Sequence, residues 1–112
     1  MRLFLSLLSV VVLQAQAETL KVGSKRFTES YILGEIIVRT AGGGEHRQGL
    51  GNTGIVFNAL KSGAIDLYPE YTGTALTTVL KQPPFPDARA VLGMVRAEYE
   101  RQWKVAWLTP LG

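Results

Sequence analysis

The apolar residues Ile32, Leu33, Ile36, Ile37 and Ala41 recur at the spacing of one helical face. Gly42, Gly43 and Gly44 stop that pattern, since each glycine costs about 1 kcal/mol inside a helix. Segments of this kind alternate with short β-like runs along the chain. Leu20 to Gly23 reads as a first strand, and Thr28 as the N-cap of the helix that follows. Glu45 to Gly51 is polar and has no clear period. Asn52 or Thr53 caps a second helix whose face is Ile55, Val56, Ala59 and Leu60, and Ser62-Gly63 ends it. Ala64 to Leu67 reads as a second strand. Gly73-Thr74 opens a short apolar helix through Leu80. The prolines at 83, 84 and 86 exclude helix there and mark a turn. Asp87 then caps a long helix with Val91, Met94, Val95 and Tyr99 along one side, and Lys104 to Leu108 reads as a third strand.

Strands separated by helices predict an α/β chain with a mainly parallel sheet flanked by helices. Ligands of such sheets sit beyond the carboxyl ends of the strands. Two loops occupy that position, Ser24 to Glu29 and Tyr68 to Thr74. The first joins hydroxyls and Lys25 to a helix N-terminus, which suits an anion; on local sequence alone, ordinary capping by Thr28 with a solvated Lys25 is the favoured account. The second holds two tyrosines around Pro69 and Glu70. A fixed tyrosine face attracts a quaternary ammonium by about 0.5–2 kcal/mol; core packing by Tyr68 is the alternative. Together the loops offer one end for an anion and one for a cation, as a zwitterion requires.

The N-terminus reads as an address. Arg2 precedes an apolar run from Leu3 to Leu13, followed by Gln14-Ala15-Gln16-Ala17. This is the plan of a cleavable secretory signal over residues 1–17, and the run is too short to span a bilayer. The expected product, residues 18–112, contains no cysteine, so it carries neither a lipid-anchored cysteine nor a disulfide, and a periplasmic location follows. The formal net charge of +3 is scattered, with no basic patch for nucleic acid. His46 is the only histidine and there is no cysteine. A structural zinc site is excluded on those grounds, and no Gly-x-Ser-x-Gly elbow supports hydrolysis. No cofactor and no enzymatic activity are expected. His46 reads as a solvated loop residue.

Several ordered stretches carry a resemblance to a known family. They are Val22-Gly23-Ser24-Lys25-Arg26-Phe27-Thr28-Glu29-Ser30, Leu50-Gly51-Asn52-Thr53 with Ala59-Leu60-Lys61-Ser62-Gly63, Ile65 to Thr74, and Trp107 to Gly112. They are similar to the osmoprotectant (glycine betaine, choline, carnitine) substrate-binding proteins of ABC importers. The resemblance implies a periplasmic-binding-protein-like fold of two lobes, with the ligand's trimethylammonium group in a cage of tyrosines and an inner-membrane permease as partner. By position, Tyr71 resembles a cage tyrosine. Lys25 and Thr74 resemble contacts to the ligand's polar end, and Ser30 another polar pocket residue. Tyr68 and Glu70 are expected to shape the loop.

Two departures bear on function. The resemblance places the second lobe and the remaining cage aromatics beyond Gly112, so residues 18–112 are expected to form a partial lobe. Relatives carry a strand near Gly42–Gln48, where this sequence leaves little room for one. Weak binding, a fragment without a transport role, and a split-gene half needing a second chain are therefore alternatives to a working binding module. Exposed apolar surface would also allow self-association.

Overall fold

The computed structural model describes residues 18–111; the expected secretory signal lies outside them. The first strand, β1 (Lys21–Lys25), is buried from Val22 onward. It is paired on both edges. On one side runs β2 (Glu45–Gly51), parallel, with Lys21 opposite Glu45, Val22 opposite His46 and Gly23 opposite Arg47. The register then shifts, so that Lys25 faces Gly51. On the other side a single parallel bridge joins Val22 to Leu67, with the Gly23 N–H donating to the Leu67 carbonyl at 2.9 Å. The α/β arrangement with a parallel sheet and flanking helices is thus present. The strand expected at Ala64–Leu67 contracts to that bridge.

β2 corrects the expected loop. Its residues are polar because it lies at the sheet edge, where most of them remain at least partly exposed and the backbone ladder to β1 is what makes it a strand. His46 is likewise not solvated: its side chain is only 5% exposed. Nε2 meets the Ser24 hydroxyl at 2.8 Å and Nδ1 meets Glu35 Oε1 at 2.9 Å. Ser24 Oγ also accepts from the Gly49 N–H at 3.2 Å.

Helix α1 (Thr28–Thr40) begins one residue differently from expectation. Phe27 is its N-cap in extended backbone, without a side-chain cap, and Thr28 is already helical. Its most buried positions are Ser30 and Gly34, whereas Ile32 and Ile36 are largely exposed. The small residues face the sheet: Gly34 leaves room for the His46 imidazole, and Ser30 accepts from the Lys25 N–H. A Cβ on Gly34 would stand 2.5 Å from His46 Nε2.

Helix α2 (Thr53–Ser62) is capped by the Asn52 side chain, which accepts from the Ile55 N–H, and it ends at Gly63 in the left-handed conformation, φ 82°. Helix α3 (Thr72–Thr74) passes directly into a π-helical turn, Ala75–Val79. Helix α4 (Ala88–Trp103) starts at Asp87, whose carboxylate accepts from the N–H groups of Arg89 and Ala90. Phe57 of α2, Ala75 and Leu76 of the π turn, and Val91, Val95 and Tyr99 of α4 form one buried cluster. Met94, read as part of that face, is exposed. Trp103 and Trp107 meet Tyr99 edge to face.

The strand expected at Lys104–Leu108 does not form. Lys104 adopts φ 56° and closes α4, its N–H donating to the Glu100 carbonyl at 3.0 Å and the Val105 N–H to the Tyr99 carbonyl at 3.3 Å. The alternation that suggests a strand is real, since Val105 and Trp107 pack on the core, but no neighbouring strand pairs with it among the described residues.

Gly34→Ala forces the imidazole out of its place between Ser24 and Glu35. We expect a loss of about 1–3 kcal/mol from overpacking and the stranded hydroxyl, read as a lower urea midpoint at unchanged slope.

Candidate functional site

Both loops at the carboxyl end of the β1 region come together, and the tie between them is an ion pair. Lys25 Nζ lies 2.6 Å from Glu70 Oε1, and the two side chains are 7% and 4% exposed. Lys25 also donates to Thr53 Oγ1 at 3.2 Å. Glu70 is engaged at both oxygens: Oε1 further accepts from the Tyr71 N–H at 2.9 Å, and Oε2 from the Tyr68 hydroxyl at 3.1 Å. Burial, followed by the Glu70 charge, pushes the Tyr68 phenol far above its ordinary range. Burial and then Glu70 also raise Tyr99. Both phenols are held neutral beside a carboxylate.

This anchor presents Tyr71 outward. The residue is the N-cap of α3 in extended backbone, and 42% of it is exposed. Its ring stacks against Phe27 with centroids 6.3 Å apart and planes inclined by 24°. Lys25 Nζ stands 5.6 Å from both ring centroids, within the range of a cation–π contact. The Tyr71 hydroxyl donates to Glu29. That hydrogen bond is the main reason its phenol is pushed up to about 12.

Beside Phe27 opens a cleft of about 570 Å³, lined by Lys25, Arg26, Phe27, Gly51, Asn52, Thr53 and Ile55. The structure brings Lys25 and Tyr71 together, though of the two only Lys25 lines this cleft. Thr74 lies one helical turn beyond Tyr71, partly buried, and does not line this cleft. Ser30 is 1% exposed, and its hydroxyl accepts from the Lys25 N–H at 2.8 Å. It props the backbone beneath the site. Phe27 and Glu29 escape a reading by sequence: both sit in the first loop, but only the fold shows them opposite Tyr71, more than forty positions away in sequence.

Residues 18–112 match the family described as the substrate binding domain of ABC-type glycine betaine transport systems. The chain is 34% identical over 113 residues to the glycine betaine-binding protein YehZ of Escherichia coli K12, covering 95% of this chain and 37% of that protein. It is 34% identical over 108 residues to the ergothioneine transport permease/ergothioneine binding protein EgtU of Helicobacter pylori G27, covering 87% of this chain and 18% of EgtU. The solved structure of apo YehZ superposes with a TM-score of 0.74 at 35% identity, over 84% of this chain and 36% of that one. A glycine betaine/carnitine/choline ABC transporter structure gives a TM-score of 0.66 at 23% identity, over 79% and 35% respectively, a likeness of fold. The chain thus spans well under half the length of these relatives.

Two outcomes check the geometry. Glu70→Gln leaves a buried ammonium without its counter-charge, and we expect a loss of about 3–5 kcal/mol in chemical denaturation. In the folded chain the phenolate step that disappears in Tyr71→Phe falls near pH 12 and moves toward the ordinary tyrosine value in Glu29→Ala. The sign follows from the raised value: the Tyr71–Glu29 contact favours folding in full below the ordinary tyrosine range and is lost as pH rises through about 12.

Proposed function

The chain belongs to the family of substrate-binding domains of ABC-type glycine betaine transport systems, and from that premise we propose that it holds a zwitterionic quaternary-ammonium osmoprotectant for delivery to a membrane permease. The observation that carries the reading is the aromatic pair. Phe27 and Tyr71 face the same ammonium, that of Lys25, at 5.6 Å from each ring, so the local field already suits a cation. Glu29 adds negative charge at the rim through its contact with the Tyr71 hydroxyl.

In this reading Tyr71 is the wall against the trimethylammonium group. Lys25 stands at the polar end, Thr74 joins it from the Tyr71 side outside the lining of the cleft, and Ser30 keeps the first loop in shape from below. The domain performs no chemistry. It works outside the cytoplasm, in the periplasm of a double-membrane cell, after removal of residues 1–17. The cleft is open, and enclosing a quaternary ammonium needs walls on several sides. A second reading follows from that openness: the facing wall is supplied by a second lobe or a second chain, and residues 18–112 alone bind weakly.

Calorimetric titration of the purified chain with glycine betaine tests the proposal, with unmethylated glycine as the control. Heat is expected with glycine betaine only. Tyr71→Ala should weaken it about two- to thirtyfold, the equivalent of one cation–π contact. Absence of heat from a chain shown to be folded would sink the proposal for this chain by itself.

A further inference from the structure

Helix α1 presents one line of side chains outward. Glu29, Ile32, Ile36 and Arg39 are all exposed, and their spacing of three, four and three residues is the seam spacing of two packed helices. Ile32 and Ile36 are 55% and 49% exposed. They line a shallow, open groove of about 350 Å³, together with Tyr31, Glu35 and Arg39. Single isoleucines scattered over a surface need no explanation. Two of them one helical turn apart, on the face of α1 opposite the buried Ser30 and Gly34, form an apolar strip that a neighbouring helix can cover.

The two ends of the strip carry opposite charge. Glu29 stands three residues before Ile32, and Arg39 three residues after Ile36. Glu29 accepts from the Tyr71 hydroxyl at Oε1 only, which leaves its other oxygen to the outside. Arg39 meets a carboxylate through Nε, 3.5 Å from Glu35 Oε2, and its side chain is 84% exposed. Glu35 is shared with His46, so it only partly satisfies the guanidinium. The pattern is its own complement. Turned end for end about a point midway between the isoleucines, Ile32 falls on Ile36 and Glu29 falls on Arg39. The negative end of each helix dipole then lies beside the positive end of the other. A parallel arrangement would instead set like charges side by side.

We propose that this face receives a second copy of the chain, α1 packing antiparallel on α1 about a twofold axis at the level of Gly34. The four isoleucines form the centre, and Glu29 of each copy faces Arg39 of the other at the two ends. The same patch serves both copies, as a closed twofold dimer requires. One helix face is a small contact, at the weak and transient end of protein interfaces, so the dimer forms at high protein concentration and dissociates on dilution. It is independent of the proposed ligand and of the cleft beside Phe27.

Sedimentation of the purified chain over a dilution series at low salt tests this. The native chain should pass from dimer to monomer on dilution, and Ile36→Ser should stay monomeric where the native chain is dimeric. Glu29→Arg and Arg39→Glu each set like charges together at both ends and should weaken the dimer about two- to thirtyfold, the share of two exposed ion pairs. An equal mixture of those two variants brings opposite charges together again at both ends and should recover the association. Circular dichroism verifies that the variants are folded. Because Glu29 also holds Tyr71, Arg39→Glu and Ile36→Ser decide the matter by themselves if Glu29→Arg unfolds. A native chain that sediments as a monomer up to its solubility limit overturns the inference. So does a dimer that survives Ile36→Ser, or a mixture of the charge variants that associates no better than either alone.

Discussion

Strand β1 has no free edge. A parallel neighbour takes its hydrogen bonds on one side and the Leu67 segment takes them on the other, and four of its five residues are buried. Burial extends to its last side chain, and that side chain is a lysine. Lys25 is thus an ammonium carried by the strand into a buried place. Desolvating it without compensation would cost several kcal/mol. The fold answers with Glu70, and most features of the site follow from that answer. Glu70 draws the second loop over the first, fixes Tyr68 and the Tyr71 N–H, and so sets the ring of Tyr71 across from Phe27.

The other support is the chain of contacts from Glu35 through His46 and Ser24 to Gly49. It joins α1 to both strands at the level where β1 ends. The hydrogen bond from His46 holds the Glu35 carboxyl below its usual range, as expected of a carboxylate kept ionised beside an imidazole. One support works by charge and the other by shape, and the β1–α1 loop lies between them.

Much of this was legible because it is local. Asn52 and Asp87 are caps that announce themselves before an apolar run, and Gly63 stops α2 where the pattern stops. The polar, aromatic loops after the first strand and after Leu67 pointed to the site without any structure. What escaped was decided by partners distant in sequence. The polar stretch Glu45–Gly51 becomes a strand only because β1 offers it a ladder. Ile32 and Ile36 keep helical spacing yet face outward, because Gly34 is what fits against the imidazole and Ser30 is bound to the Lys25 backbone. Val105 and Trp107 alternate like a strand but serve a helix cluster. The engagement of Lys25 by Glu70 spans 45 positions, and no local pattern distinguishes a lysine awaiting an anion from one that already has one.

Under the proposed function, the same lysine has a consequence for which amines the aromatic pair can accept. Lys25 is itself a resident cation, tethered by the chain within 5.6 Å of both rings. It is held there by oxygens, because a primary ammonium has hydrogens to donate. A visiting primary amine would want those same oxygens and would have to contest them with a rival of fixed and very high local concentration. A fully methylated nitrogen has no hydrogens and makes no claim on Glu70 or Thr53; ring faces are what it can use. Under the proposed function the resident ammonium is then a filter by degree of methylation, acting by occupancy rather than by the width of any opening.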